Sequence, residues 1–236
     1  QHGVGVPDLM DDLAVHLAET AVSAEEQEER IKIAVIGKPN VGKSSLANKI
    51  LGFERTIVND IPGTTRDAID TPFTVNGKPY TLIDTAGIRR KSRVSLVLEK
   101  YSVIQAMKTL DQCDIALHLI DAQEGITEQD AKIAGLTLER GVATILLVNK
   151  WDLVEKDNST VGQYVKDIKE QLKFLDFAPI LFVSAATGQR IHRIFETVEQ
   201  VYAEATKRVN TGELNRAMRA FLEKNPPPQA HLKANP

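Results

Sequence analysis

The residues whose types and spacing most clearly specify chemistry are Gly37-Lys38-Pro39-Asn40-Val41-Gly42-Lys43-Ser44, which follow an apolar run, Ile31 to Ile36, and open a helical stretch, Lys43 to Leu51. Glycines at both ends of such a loop let successive backbone amides curl around an anion, and the start of the following helix adds partial positive charge. This is a phosphate-binding loop. Gly37, Asn40, Val41, Gly42 and Ser45 line it, the Lys43 ammonium reaches the outer phosphates, and the Ser44 hydroxyl holds Mg2+.

Four more stretches bear on the same ligand. Pro62-Gly63-Thr64-Thr65-Arg66-Asp67 lies where a switch loop closes over a terminal phosphate. Thr65 is the candidate second Mg2+ ligand, its hydroxyl on the metal and its amide on the phosphate, and both interactions end when that phosphate leaves. Asp84-Thr85-Ala86-Gly87 ends a strand; Asp84 orients Mg2+ through its water shell and Gly87 brings an amide to the terminal phosphate. Asn149-Lys150-Trp151-Asp152 selects the base, because the Asp152 carboxylate accepts from guanine N1 and N2, donors that adenine lacks. Asn149 ties this loop to the phosphate loop and the Lys150 stem covers the base. Ser184-Ala185-Ala186 presents a backbone amide to guanine O6. Each stretch alone is a common turn. Their order, and their placement at the carboxyl ends of strands where open α/β sheets bind ligands, specify a guanine nucleotide.

The positioning elements follow from hydrophobic pattern. Strands are expected at Ile31 to Ile36, Ala68 to Val75, Tyr80 to Asp84, Asp114 to Ile120, Thr144 to Asn149 and Pro179 to Val183. Helices are expected at Lys43 to Leu51, Glu99 to Leu110, Glu128 to Arg140, Val161 to Leu172 and Gln189 to Lys207. Alternation of this kind predicts an α/β fold, a P-loop NTPase G domain with a mostly parallel six-stranded sheet and helices on both faces. Asn76-Gly77 joins two of the strands as a hairpin, so one strand is antiparallel.

The chain has 236 residues, an apolar fraction of 42% and a net charge of −3, enough for a large core and no global attraction to RNA or membrane. The lone Cys113 reads as a small buried hydrophobe and the compartment as cytoplasmic. No signal peptide and no apolar stretch of membrane-spanning length is present, so no membrane partner is expected. Pro7 to Ala21 has helical spacing and precedes the glutamate-rich Ser23 to Arg30, a solvated linker. Thr211 to Leu222 forms a short amphipathic helix ended by Pro226-Pro227-Pro228. Opening on Gln1, the chain is expected to be a fragment or a processed product.

Several runs carry a resemblance: Gly37 to Ser45, Asp60 to Asp67, Asp84 to Lys91 with Glu99-Lys100-Tyr101-Ser102, Glu124-Gly125-Ile126-Thr127-Glu128-Gln129-Asp130, and Val148 to Leu153. In these the chain resembles the translation-factor-related GTPases and, among them, the EngA/Der family of bacterial ribosome-assembly GTPases with tandem G domains and a C-terminal KH-like domain. The resemblance implies a remnant of the first G domain and acidic linker at 1–30, the second G domain at 31–207, and the start of a truncated KH-like domain at 208–236. It also implies GTP hydrolysis in assembly of the large ribosomal subunit or its rRNA, by a monomer whose other domains act in cis. A G module gating a tRNA-modification enzyme is the alternative, opposed by the linker and by the Glu124 to Gln129 run. A structural nucleotide-binding domain is a further one.

GTPases that position water with a glutamine carry it directly after the Asp-x-x-Gly turn; here Ile88 stands there, so no side-chain base is available. The resemblance places the chain among GTPases with a hydrophobic residue at this position, some of which use K+ beside the phosphates. Asn40 matches the K+ ligand. Lys43, Thr65, Gly87 and Asn40 are thus the catalytic candidates, while Arg66, Arg89 and Arg90 are other sources of charge. Ser95-Leu96-Val97-Leu98 departs from the family in being apolar where a switch is polar.

Overall fold

In a computed structural model, residues 30–52, 70–85 and 106–226 are described. The expected helix at Pro7 to Ala21, the switch stretch with Thr65, the part of the second switch beyond Thr85 with Gly87, Ile88 and Leu96 to Leu98, and most of the helix expected before Leu110 lie outside them.

The sheet has six strands: β1 Ile31–Ile36, β2 Thr71–Val75, β3 Lys78–Leu82, β4 Ile115–Asp121, β5 Ala143–Asn149 and β6 Ile180–Phe182. Their order is β2-β3-β1-β4-β5-β6, with β2 antiparallel to β3 and every other pair parallel. β4 is buried at every position and β5 at all but its first, which explains why they read as continuous apolar runs and not as alternating ones. At the hairpin, Asn76 and Gly77 have φ of 51° and 79°, the left-handed pair that matches the twist of the flanking strands. The antiparallel strand and the mostly parallel sheet are as the pattern predicts.

The helices are α1 Lys43–Leu51, α2 Glu128–Glu139, α3 Thr160–Gln171, α4 His192–Ala205 and α5 Thr211–Lys224, with residues 106–110 also helical. Alternate positions of β1 face opposite ways: Ile33 and Val35 join a core with Leu46 and Ile50 of α1 and Phe195 of α4, whereas Ala34 and Ile36 pack with Ile133 of α2. On the same side as α2, Ile168 of α3 packs with Val148 and Trp151. Helices thus cover both faces.

Boundaries differ from expectation in instructive places. α4 begins at His192, not Gln189, because Gly188 and Arg190 hold positive φ (86° and 61°) and turn the chain before the helix can start. Leu172 leaves α3 into a short 3-10 turn, Lys173–Leu175, that buries Leu175. Cys113 is half-buried; burial first, and then the charge of Asp114, pushes its thiol up to about 12, so it stays a protonated, unreactive group.

The chain divides into two compact units, Gln1–Tyr202 and Ala203–Pro236. In the second, Asn210 caps α5 by accepting from Glu213 N at 2.9 Å, and Leu214, Met218, Phe221 and Leu222 are exposed along the helix.

Candidate nucleotide-binding site

The phosphate loop joins β1 to α1. Its glycines are fixed by what lies against them. Gly37 has φ 142°, and a Cβ there would fall 2.7 Å from Leu119 O. Gly42 has φ 103° and caps α1 without a side-chain hydrogen bond, and the first turn of α1 carries no acidic residue. The partial positive end of the helix is therefore neither occluded nor neutralised from within its own first turn. Lys43 Nζ donates to Gly37 O at 2.7 Å and to Lys38 O at 2.5 Å, so the ammonium is held inside the loop. Ser44 is half-buried, Ser45 and Asn40 are exposed, and Asn40 turns the loop with φ 62°, a conformation asparagine tolerates well.

Asn149 is the residue that joins the pieces. At the end of β5 it is 2% exposed; its Nδ2 donates to Val41 O at 2.8 Å and its Oδ1 accepts from Ala185 N at 2.9 Å. One amide group thereby links the phosphate loop, the base loop and the loop after β6. Ala185 N is committed to this bond, which leaves the exposed Ala186 as the member of Ser184-Ala185-Ala186 placed toward solvent. Ser184 is buried, and its Oγ accepts from Thr187 N at 3.1 Å to close that loop.

The base loop is turned by Lys150, with φ 62°, and anchored by Trp151, which is buried with ring centroids 5.1 Å from Tyr164 and 4.4 Å from Phe182. Trp151 N also donates to Val183 O at 3.1 Å. With Trp151 turned into the core, Asp152 is left exposed, and no hydrogen bond to it is found among the described residues. Lys150 Nζ lies 2.5 Å from Oδ2 of Asp121, the last residue of β4. Burial opposes the Asp121 charge, but the Lys150 bond and the Gln123 amide outweigh it and hold the carboxyl below its usual range.

Asp84 follows β3 with φ 56°; its N donates to Asp70 Oδ1 at 3.1 Å and its Oδ2 accepts from Thr109 Oγ1 at 3.3 Å. β3 lies next to β1 in the sheet, so Asp84 and the phosphate loop leave adjacent parallel strands at the same end. A hydroxyl on Ser44 and a carboxylate on Asp84 are the hard oxygen donors that suit Mg2+. Thr65 and Gly87 lie outside the described residues.

Sequence reasoning gave no role to four side chains that the structure brings against this site: Lys38, Asp121, His118 and Asp130. Lys38 is only 6% exposed, and its Nζ lies 2.7 Å from Glu124 Oε2 and 3.3 Å from Asp130 Oδ2. The available signal was the Thr127-x-x-Asp130 spacing of a helix cap and a charged residue closing the apolar β4 run.

The family described as 50S ribosome-binding GTPase matches residues 32–150. GTPase Der of Caldanaerobacter subterraneus subsp. tengcongensis is 57% identical over 229 residues, which cover 97% of this chain and 52% of that protein. GTPase Der of Geobacter metallireducens is 51% identical over 231 residues, covering 98% and 52%. The chain therefore spans about half the length of the curated relatives it matches. The solved structure of Era in complex with MgGDPNP and nucleotides 1506–1542 of 16S ribosomal RNA is 24% identical with a TM-score of 0.55, covering 72% of this chain and 56% of that one, a likeness of fold.

Proposed function

Because the chain belongs to the family of 50S ribosome-binding GTPases, we propose that it binds GTP and GDP with Mg2+, hydrolyses GTP to GDP and phosphate, and serves as a switch in assembly of the large ribosomal subunit. The observation that carries the nucleotide reading is the Asn149 clasp, which holds the phosphate loop and the base loop in one fixed relation. Two loops tied at that separation suit a ligand with phosphates at one end and a base at the other.

In this reading Lys43 and the first amides of α1 bind the phosphates, and Ser44, Thr65 and Asp84 hold Mg2+, which when bound offsets phosphate charge. Gly87 offers an amide to the terminal phosphate. Asp152 selects guanine, with Ala186 near O6 and the Lys150 stem along the base. With Ile88 in place of a glutamine, hydrolysis relies on electrostatic stabilisation of charge developing between the phosphates, for which K+ held by Asn40 is the source. The G domain at 31–207, flanked by the remnant and KH-like segments, acts in the bacterial cytoplasm.

Phosphate release at saturating GTP and Mg2+ tests the chemistry. Wild type is expected to turn over slowly, several-fold faster in KCl than in matched NaCl, with Lys43→Ala reducing the rate by at least about tenfold. Equal rates for wild type and Lys43→Ala would remove the enzyme assignment; equal rates in the two salts would remove K+ alone. The switch is tested by pelleting with large ribosomal subunits in GTP, GDP and no nucleotide. Nucleotide-dependent association is expected, and association indifferent to nucleotide counts against a switch.

A further inference from the structure

Asp130 closes a capping box on α2. Thr127 N and Oγ1 donate to its Oδ2 at 3.0 and 2.7 Å, and its own N donates back to Thr127 Oγ1 at 3.4 Å. A capping box stabilises a helix end without further partners. Here the carboxylate is 0% exposed, and beyond the cap it meets Lys38 Nζ at 3.3 Å and, through Oδ1, His118 Nε2 at 4.0 Å. Glu124, from the connection between β4 and α2, completes the pairing of Lys38 at 2.7 Å.

A buried ammonium and carboxylate gain little net stability over apolar side chains of similar volume, because removing both charges from water offsets most of their attraction. Lys38 Nζ meets the two carboxylates as ion pairs with no well-aligned hydrogen bond among the described residues, and in some proteins a buried charge of this kind fixes geometry more than it adds stability. Lys38 sits within the phosphate loop, and its backbone O is one of the two carbonyls that hold Lys43 Nζ. The side chain of Lys38 thus couples the N-terminus of α2 to the carbonyls that place the phosphate-binding lysine. Besides the Asn149 bond that ties it to Val41, the base loop has anchors of its own in Asp121 on Lys150 and in the packing of Trp151.

We propose that Asp130, assisted by Glu124, is a positioning residue for nucleotide binding: by clamping Lys38 it sets the phosphate loop in register for a nucleoside diphosphate. This rests on the guanine-nucleotide reading given above. The run Glu124-Gly125-Ile126-Thr127-Glu128-Gln129-Asp130 then has a physical task, supplying one exposed and one buried carboxylate to the same lysine with the helix cap between them.

The test titrates fluorescently labelled GDP and IDP onto the whole chain as wild type, Lys38→Met, Lys38→Arg, Asp130→Asn and the double variant Lys38→Met/Asp130→Asn. IDP lacks the 2-amino group, so the GDP-to-IDP ratio reports the base loop. Lys38→Met and Asp130→Asn are expected to weaken GDP binding about tenfold, with the ratio unchanged, and the double variant no more than either single one, since they break one path. Lys38→Arg keeps the charge and is expected to bind within about threefold of wild type. Binding within twofold of wild type in both single variants overturns the proposal. So do additive losses in the double variant, or a loss accompanied by a relaxed GDP-to-IDP ratio, which is the mark of general loosening. Circular dichroism melts identify a variant that fails to fold. In that case the double variant, which leaves no buried orphan charge because Glu124 is exposed, carries the decision on the same tenfold criterion. Wild type that binds neither nucleotide removes the nucleotide reading itself, and the proposal with it.

Discussion

A Cβ on Gly42 would fall 2.3 Å from Asn149 Nδ2, at a φ of 103° that side-chain-bearing residues rarely adopt. The glycine is thus required by a residue far along the chain, whose amide must pass the loop to reach Val41 O. Gly42→Ala is expected to break that bond or distort the loop, raising the Kd for fluorescent GDP by at least about tenfold, whatever its effect on stability. Wild-type affinity in this variant would mean that the clasp does not govern binding. The requirement for glycine was legible in the sequence as part of the loop pattern. The partner that imposes it was legible only as an expected tie, because two residues so distant meet through the sheet.

At the scale of elements, α4 packs onto β2 and β3 through one aromatic cluster. Phe195 lies 6.0 Å from Phe73 and 5.4 Å from Tyr80, ring centroid to centroid, and is 2% exposed. At its edge Glu199 accepts from Tyr80 Oη at 3.0 Å and pairs with Lys78 at 2.5 Å. Burial, helped by the Glu199 charge, raises the Tyr80 phenol, so it remains a donor. Phe195→Ala leaves a cavity between the antiparallel pair and α4 and is expected to destabilise by roughly 3 to 5 kcal/mol, measured as a shift of the urea midpoint at unchanged slope. A loss below about 1 kcal/mol would show that the site had collapsed or that α4 is not held there. The strands and the helix were each predictable from periodicity. The start of α4 was not, because Gln189 and Arg190 are good helix formers by type and are held out of the helix by the positive φ of Gly188 and Arg190.

For the molecule as a whole, the buried polar groups predict a pH response. His118 is fully buried on β4 between sheet and α2, and neither ring nitrogen finds a hydrogen-bond partner among the described residues. Burial lowers its pKa to about 4; the Asp130 carboxylate opposes the shift and the Lys43 charge adds to it. The ring is therefore neutral in the folded state while the unfolded chain takes up a proton below about pH 6.5. Between these values the unfolded state binds more protons, so stability falls as pH is lowered from about 6.5 toward 4, by up to ~1.4 kcal/mol per unit. Denaturant midpoints across that window should fall less steeply for His118→Leu than for wild type. Identical slopes would assign the acid sensitivity to other groups.

The amino-acid sequence by itself determined the architecture and the residue types that gather at the candidate site. Continuous apolar runs name buried parallel strands, Asn76-Gly77 names a hairpin, and the phosphate-loop and Asn149-Lys150-Trp151-Asp152 patterns name chemistry, because all of these are local rules of backbone and side-chain type. The tie from Asn149 to the phosphate loop was expected from the sequence; tertiary structure decided which atoms meet there and supplied the connections that no pattern named. Asn149 meets Val41 and Ala185, Lys150 meets Asp121, and Lys38 meets Glu124 and Asp130, in each case because parallel strands bring the ends of distant segments to one edge of the sheet. Spacing along the chain carries no record of such meetings. A buried charge such as Lys38 or Asp130 is invisible in composition, since its environment is set by the fold and not by its neighbours in sequence.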